Sequence, residues 1–176
     1  MATAALLGER PSAAEFAPFY ANYIAGVPDG DVLDTLSWQL GDTLAYLRGL
    51  PAPRHGHRYA EGKWSVKEVV GHMADAERIF AYRMLRIARG DETPLAGFEE
   101  NAYVRAANFD ARPLAALASE FESVRRATLT LVRSFDQEAL LRQGTANGYP
   151  VTVRALAYII AGHERHHVEI LRTRYA

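Results

Sequence analysis

Three histidines in this 176-residue chain have the spacing of metal ligands. His163 and His167 are four residues apart, which in an α-helix is a rotation of about 40° and a rise of about 6 Å. Their imidazoles would therefore lie on one face and could bind the same ion. His72 occupies a position in the apolar stripe of an earlier helical segment, so we expect its side chain to point inward as well. Neutral imidazole is a ligand for zinc, nickel, copper and iron.

The same three residues have a simpler explanation, in which each is a buried core histidine with a hydrogen-bonding partner of its own. A lone inward-facing histidine is usually of that kind. Three of them are harder to satisfy separately, because an unpaired buried polar group costs roughly 1–3 kcal/mol. One shared ion would satisfy all of them, so the spacing favours a metal site. His166 lies about 100° from His167 around the helix, and we expect it at the edge of the bundle, outside the site.

Residues 163–167 also match H-E-x-x-H, the zinc-peptidase motif in which the glutamate acts as general base. Only nine residues follow His167, so we expect no ligand further along the chain, and no sheet is evident that could hold a peptide substrate. We therefore interpret the match as a coincidence of two ligand histidines with a surface residue, Glu164. His55 and His57 lie in a loop earlier in the chain and are expected to face solvent.

Two carboxylates and two aromatic residues flank the predicted site. Asp75 and Glu77 follow His72 on the same helix and could orient a ligand or act as a base. They could equally be surface residues paired with arginines, so no catalytic residue is assigned. Trp64 and Tyr149 precede the two ligand-bearing helices. They could line the mouth of a pocket, although covering the core is the commoner role of such residues.

The composition excludes several classes of site. Cysteine is absent, so disulfides, thiolate nucleophiles and cysteine metal ligands are excluded. The 20 basic and 21 acidic residues give a formal charge of −1, which leaves no basic excess for binding nucleic acid. The first residues lack the pattern of a secretion signal, and no apolar run is long enough to span a membrane. We expect a cytoplasmic protein that acts on a small molecule, with neither nucleic acid nor a membrane as partner.

Four long segments with helical periodicity must position these residues. They are predicted at about 31–50, 65–89, 113–135 and 152 to near the end of the chain, with a short helix near 13–24 and another near 98–105. Strand signals are scarce. The pattern predicts an all-α fold, a four-helix bundle with long connections and a short N-terminal helix. The length is that of one domain, expected over 1–176 with its core bundle at about 31–174.

Local signals predict the ends of these helices. Ser65 with Glu68 three residues later is a capping box, and Gly90 follows the helix that this box begins. Thr152 is a suitable N-cap for the last helix. Asn147-Gly148 in the preceding loop is a turn signal.

Three stretches of the sequence carry distinctive motifs. They are WSVKEVVGHMADAER (64–78), RMLRIARGD (83–91) and GTANGYPVTVRALAYIIAGHERHHVEIL (144–171). Together they resemble the DinB-like family, the damage-inducible, YfiT-like superfamily of bacterial proteins. The resemblance extends from about Asp31 to the end of the chain. Its most specific elements are a helix-borne glycine–histidine pair after a W-S-x-K-E start and the sequence G-H-E-R-x-H near the C-terminus.

The resemblance implies a four-helix bundle with a divalent ion, often nickel or zinc, near one end. The metal ligands of the family correspond to His72, His163 and His167, which periodicity also selects. The remaining coordination positions would hold water or a substrate atom, as at a catalytic metal. Members of the wider superfamily include bacillithiol-dependent S-transferases and a mycothiol-dependent isomerase, and members are often homodimers.

The resemblance therefore predicts a metal-dependent enzyme that activates a low-molecular-weight thiol such as bacillithiol for S-transfer. Because the chain has no cysteine, the thiol would come from outside the protein. The alternatives are a metal-dependent hydrolase that uses bound water, and a structural or stress protein that binds the metal without catalysis. A bundle that kept the fold and lost the metal is the remaining alternative, and the three intact histidines argue against it.

Overall fold

Four long helices form the bundle in the computed structural model, which describes residues 6–175. The elements in chain order are α1 (Ala21–Ala25), α2 (Val32–Gly49), α3 (Val66–Ala88), α4 (Glu100–Ala107), α5 (Leu114–Arg133), α6 (Gln137–Leu141), β1 (Gln143–Ala146), β2 (Tyr149–Thr152) and α7 (Val153–Arg174). Short 3₁₀ turns occur at Ala13–Glu15, Pro18–Tyr20, Ala52–Arg54 and Phe109–Ala111. α2 and α3 each pack against both α5 and α7, so these four helices enclose a common apolar interior. The predicted all-α four-helix bundle is confirmed.

The apolar stripe of α2 shows why this sequence forms a bundle helix. Leu36, Leu40, Leu44 and Leu47 recur at spacings of three and four residues, and all are buried, as the periodicity predicts. Burial of each leucine contributes roughly 1.5–3 kcal/mol. The stripe therefore determines which face α2 presents to the other helices.

The predicted ends of the two ligand-bearing helices are confirmed. The Ser65 hydroxyl accepts a hydrogen bond from the Glu68 N–H at 3.1 Å, and the Glu68 carboxylate accepts one from the Ser65 N–H at 2.8 Å. This capping box begins α3. Gly90, with φ of 79°, follows its end. The Thr152 hydroxyl accepts from the Ala155 N–H at 3.2 Å and caps α7.

The predicted N-terminal helix is present but shorter than the expected 13–24. Only Ala21–Ala25 is α-helical, and extended backbone at Phe16 and Ala17 separates two 3₁₀ turns before it. Pro18 explains the break, because a proline disfavours helical backbone in the residue before it. α1 nevertheless packs against α7, where it covers the site described below.

A short β-hairpin precedes α7, which the apolar pattern does not predict. β1 and β2 pair antiparallel, from Gln143 opposite Thr152 to Ala146 opposite Tyr149. Asn147 and Gly148 form the turn with φ of 52° and 79°, values that asparagine and glycine tolerate best. The predicted turn is therefore confirmed, but strands of four residues are too short for an alternating pattern to be recognised.

The long connection between α3 and α4 is attached to this hairpin. The Leu95 N–H donates to the Thr145 carbonyl, and the Asn147 N–H donates to the Leu95 carbonyl, both at 2.9 Å. These bonds hold residues 91–99 beside the hairpin, where they form one wall of a cavity described below.

None of the helices within residues 6–175 combines the length and the apolar character that crossing a membrane requires. The organisation of the whole chain as one domain over 1–176, with its core bundle at about 31–174, stays a prediction.

An ion pair anchors the N-terminal segment to the start of α7. Arg154 donates to both carboxylate oxygens of Glu15 at 2.6 and 2.7 Å, and the Thr152 hydroxyl donates to the same carboxylate at 2.9 Å. Burial opposes ionisation of Glu15, but the hydrogen bonds from Arg154, Ser12 and Thr152 outweigh it and lower its pKa to about 2.

We expect this anchor to stabilise the fold in a pH-dependent way. Since the folded-state pKa of Glu15 lies below its ordinary value of 4.5, the stabilisation is complete above about pH 4.5 and is lost as the pH falls towards about 2. Solvent screening limits it to roughly 1 kcal/mol. Glu15→Gln should therefore lower the free energy of unfolding by that amount at neutral pH, and by less at acidic pH, in urea denaturation. Equal losses at both pH values would contradict the prediction.

Candidate metal centre

The three histidines meet inside the bundle. His72 comes from α3, and His163 and His167 come from successive turns of α7. The Nε2 atom of His163 lies 3.0 Å from that of His72 and 3.1 Å from that of His167, and nitrogens of all three lie within 4.8 Å of one another. His72 and His163 are buried, whereas His167 keeps partial contact with solvent. The structure therefore brings together the three side chains that helical spacing selects.

Burial makes all three imidazoles weak bases. Loss of solvent lowers the pKa of His72 to about 4. Burial also holds the pKa values of His163 and His167 well below 6.5, and the neighbouring histidines lower them further. The cluster is therefore neutral at physiological pH, the protonation state in which imidazole can be a metal ligand.

This donor set fits a divalent ion. A zinc–imidazole bond is about 2.0–2.1 Å long, so two nitrogens on a tetrahedral ion are separated by roughly 3.3 Å. The two short nitrogen–nitrogen distances of the cluster, 3.0 and 3.1 Å, are close to that value. The Nε2 atom of His163 faces both neighbours but has only one proton or one lone pair to share. Hydrogen bonding alone therefore cannot satisfy all three nitrogens, whereas a shared ion could.

A glycine precedes each of the two most buried histidines and makes room for a covering segment. A Cβ atom on Gly162 would lie 2.2 Å from the backbone oxygen of Tyr23, so α1 can pack closely against α7 because this residue has no side chain. A Cβ atom on Gly71 would lie 2.4 Å from the ring of Phe109. Both glycine–histidine pairs of the sequence thus allow another segment to approach the helix beside a histidine.

Gly162→Ala is expected to displace α1 and to lower the free energy of unfolding by about 1–3 kcal/mol, as overpacking of a core usually does. The clash is with backbone, which cannot rotate away as a side chain can. Gly41→Ala is the matched control. Gly41 lies within α2, and no atom of residues 6–175 outside the adjoining helix backbone lies within 4 Å of the position that its Cβ would take, so alanine should stabilise that helix by roughly 0.5–1 kcal/mol. Urea denaturation would measure both changes, and shifts of the same sign would contradict this account.

A buried ion-pair network lies beside the histidines and joins the four bundle helices. Arg125 of α5 is fully buried and donates to both oxygens of Glu77 at 2.8 Å and to Glu164 at 2.6 Å. It also donates to a carbonyl of α2 at 3.1 Å, and Thr43 of α2 donates to Glu164 at 2.6 Å. Burial raises the pKa of Glu164. Burial would lower the pKa of Arg125, but the two carboxylates reverse that effect and raise it. The network thereby holds α7 in place at the residue that follows His163.

The interpretation of Glu164 as a surface residue is wrong. Glu164 is 2% exposed, and Thr43 and Arg125 each engage one of its carboxylate oxygens. It is therefore committed to the interior network and is not free to act as the general base of an H-E-x-x-H peptidase. Glu77 pairs with an arginine, as one of the two alternatives predicts. The partner is Arg125, however, and the pair lies in the interior and not on the surface.

Arg125 is a neighbour of the site that the histidine spacing does not reveal. It lies four residues after Phe121 and seven before Val132, which are both buried on the apolar stripe of α5. A charge at such a position is the signal that could have identified it. Glu77 in α3 and Glu164 in α7 interrupt apolar stripes in the same way. Polar residues at buried positions on three helices predict a common network, because buried polar groups must find partners.

The other polar candidates lie outside the histidine cluster. Asp75 forms a surface ion pair with Arg78 at 3.2 Å. His166 is exposed, as expected for the edge of the bundle. The expectation that His55 and His57 face solvent is wrong, because both are half-buried. The Nε2 atom of His55 lies 3.0 Å from a backbone carbonyl oxygen, and the His57 ring packs edge-on against a tyrosine.

The two flanking aromatic residues have different environments. The ring of Trp64 lies 4.6 Å from that of His72 and 6.4 Å from that of His167, so it borders the cluster as well as covering the core. Tyr149 is 43% exposed, and its ring meets that of Phe19 edge-on at 5.4 Å. Of the two, only Trp64 lies at the histidines.

A cavity of about 460 Å³ opens onto the histidines. His72 and His163 line it, and so does Arg83, which lies further along α3. Much of its wall is aromatic, formed by Phe19, Tyr20, Tyr23, Phe80 and Phe98. The volume is in the range of small-molecule sites. A small molecule could therefore reach the histidines from this side.

Comparison with protein families relates this architecture to known proteins. A family model described as the DinB superfamily matches residues 35–171. A search of curated proteins for relatives finds no match.

Several solved structures share the fold. YfiT from Bacillus subtilis, described as a probable metal-dependent hydrolase with an unusual four-helix bundle topology, is similar with a TM-score of 0.68 and 17% identity, over 93% of this chain and 92% of that one. A mycothiol-dependent maleylpyruvate isomerase is similar with a TM-score of 0.65 and 18% identity, over 78% of this chain and 58% of that one. The DinB-like protein YjoA from Bacillus subtilis has a TM-score of 0.59 and 20% identity, over 82% and 88% of the two chains. At such identities the likeness concerns the fold.

Proposed function

The chain belongs to the DinB superfamily, and on that premise we propose that it is a metal-dependent enzyme that activates a low-molecular-weight thiol for S-transfer. His72, His163 and His167 would bind one divalent ion, nickel or zinc. The observation that carries the proposal is the convergence of three neutral imidazoles, two of which, those of His72 and His163, line a cavity of about 460 Å³.

The residues around the cluster would hold the ligands in place. A bound ion would supply Lewis acidity, which lowers the pKa of a thiol or of water and yields a nucleophile near neutral pH. The Trp64 ring packs 4.6 Å from that of His72, and the Phe80 ring packs 5.8 Å from that of His163, so both imidazoles are restricted in rotation. Arg125 fixes α7 through Glu164, the residue after His163.

Any thiol that takes part in the reaction would come from outside the chain. It contains no cysteine, and the cavity beside His72 and His163 is large enough for a small thiol or its electrophilic partner. Bacillithiol is the proposed co-substrate. In the transfer, the thiolate sulfur forms a bond to an electrophilic carbon, the leaving group departs with the bonding electrons, and the thiol proton passes to solvent. The similarity in fold to a mycothiol-dependent isomerase agrees with a thiol cofactor.

Hydrolysis is the second candidate, with water as the nucleophile. The similarity in fold to YfiT favours it, because that protein is described as a probable metal-dependent hydrolase and the likeness extends over nearly all of both chains. A structural metal protein without catalysis is the third candidate. A fourth protein ligand would favour that role, and no further histidine or carboxylate within residues 6–175 joins the group.

Turnover by reconstituted protein would separate the three candidates. Protein stripped with EDTA and reloaded with zinc or nickel would be incubated with monochlorobimane and bacillithiol, mycothiol or glutathione. Thioether formation that requires both metal and thiol would support transfer. Metal-dependent cleavage of nitrophenyl acetate without any thiol would instead support hydrolysis. A protein that binds the metal and catalyses neither reaction would support the structural role.

The proposal includes a cytoplasmic location, which the sequence pattern predicts, and a homodimer, which the family resemblance implies. Sedimentation velocity would test the dimer. A single species with the mass of one chain, at all accessible concentrations, would reject it.

A further inference from the structure

Arg83 is a buried cation without a counter-ion. It lies on α3 and is 3% exposed, yet none of the ion pairs formed within residues 6–175 includes it. Arg125, which is buried to a similar degree, contacts two carboxylates. A buried charge without an opposite charge is strongly disfavoured. Arg83 therefore lacks the close carboxylate partner that Arg125 has.

Arg83 contacts several neighbouring groups. It hydrogen-bonds the Tyr20 side chain and so opposes the rise in the pKa of Tyr20 that burial causes. Its Nη2 atom donates to the Ala96 carbonyl at 2.7 Å, which ties the connection between α3 and α4 to the bundle. Its guanidinium carbon lies 5.9 Å from the centre of the Phe80 ring. A guanidinium has five N–H donors. Holding the connection between α3 and α4 in place requires neither all of these donors nor a positive charge.

Arg83 lines the same cavity as His72 and His163. Eleven residues separate it from His72 on α3, which is about 16 Å along the helix axis. Side chains on a helix lean towards its N-terminus, so the guanidinium lies nearer to the histidines than its backbone does. Phe80 lies between the two on the same helix, and its ring is 5.8 Å from that of His163. The cavity therefore joins the imidazoles to a cation along an aromatic wall.

The acidic residues of the cavity do not neutralise this cation. Glu99 caps α4 by accepting from the N–H groups of Asn101 and Ala102 at 3.1 and 2.7 Å. Glu100 is exposed in the first turn of α4. Neither forms an ion pair with Arg83. A negatively charged group of a ligand is therefore favoured beside the Arg83 guanidinium and disfavoured beside Glu99 and Glu100.

We propose that Arg83 binds a carboxylate of the substrate, and that an aromatic body attached to this carboxylate lies along Phe80 towards the histidines. The substrate class is then an aryl or arylalkyl carboxylic acid. Guanidinium and carboxylate match in shape, because two parallel N–H···O bonds can form between them. The inference rests on the proposed function for the part played by the histidines, whereas the anion site depends only on Arg83 and its cavity.

The test compares phenylacetate with its neutral isostere phenylacetamide. EDTA-treated full-length protein would be titrated with each compound and followed by NMR of isotope-labelled backbone amides. We expect phenylacetate to bind about tenfold more tightly or better, with shifts at the amides around Arg83 and Ala96. Arg83→Gln keeps a donor for the Ala96 carbonyl and should abolish the preference. Arg89→Gln, at an exposed position just beyond the same helix, is the matched control and should retain it.

Equal binding of the two compounds by the wild type, or a preference that survives Arg83→Gln, would overturn the proposal. If Arg83→Gln does not fold, the wild-type shift map decides, and shifts remote from Arg83 and Ala96 reject the site. The titration is free of metal, so its outcome is independent of the proposed function. If the protein prefers the carboxylate but takes up no ion, the Arg83 site is retained and the metal-dependent enzyme is rejected. If the protein takes up an ion but shows no preference for the carboxylate, the Arg83 site is rejected and the metal site is retained.

Discussion

Replacing His163 with alanine is expected to abolish metal binding. His163 is central to the cluster, because its Nε2 atom lies 3.0 Å from that of His72 and 3.1 Å from that of His167. Loss of a residue that only hydrogen-bonds to a metal ligand lowers affinity by about 10–100-fold, so loss of a ligand should lower it by more than about 100-fold. Elemental analysis after reconstitution with zinc or nickel should find about one ion per chain in the wild type and almost none in His163→Ala.

His166→Ala is the matched control for this experiment. His166 lies on the same helix but is exposed outside the cluster, so its loss should leave the metal content unchanged. Thermal unfolding provides a second measurement, since free metal at 100 times its Kd stabilises a protein by about 2.7 kcal/mol. The wild type and His166→Ala should show that gain, and His163→Ala should not. A wild type that holds no ion after incubation with either metal would reject the three-histidine site.

The bundle and the histidine cluster could be predicted because both depend on helical periodicity. Once a segment is helical, the residue number alone determines which way a side chain points. Leu36 and Leu47 are buried for this reason, and so are His72 and His163. The sequence could not show that α3 and α7 lie side by side at the height of these residues, and the structure supplies that contact.

Glu164 shows where periodicity stops being sufficient. It points about 100° away from His163 around α7, a direction that would face solvent on an ordinary surface helix. α7 is not such a helix, because α1, α2 and α3 all pack against it. The position of α1 follows from the break at Pro18 and from the close approach at Gly162, which are tertiary effects. Glu164 therefore faces the interior network. The buried residues Ala161 and Val168 on the same stripe of α7 indicate that direction, but α7 alone cannot reveal which residues of other helices are its partners.

Arg125→Met is expected to cause the largest loss of stability. Methionine fills much of the space of arginine but leaves Glu77 and Glu164, which are 3% and 2% exposed, without a positive charge. Removing one partner of a buried ion pair usually lowers the free energy of unfolding by about 3–5 kcal/mol. Small domains are stable by only about 5–15 kcal/mol, so this loss would bring the protein close to unfolding. Urea denaturation at neutral pH would measure it.

The neighbouring residue provides the control, because the one ion pair that Arg126 forms within residues 6–175 is a surface pair with Glu122 on the same helix, at 2.6 Å. Arg126→Met should therefore change the free energy of unfolding by no more than about 0.5 kcal/mol. The cause of the larger effect can be tested by adding Glu77→Gln and Glu164→Gln to Arg125→Met. If unpaired buried charge is responsible, the triple variant should recover part of the lost stability, since amides can be buried at a lower cost than carboxylates. Equal losses in the Arg125 and Arg126 variants would show that the network does not stabilise the bundle, and that α7 is positioned by apolar packing alone.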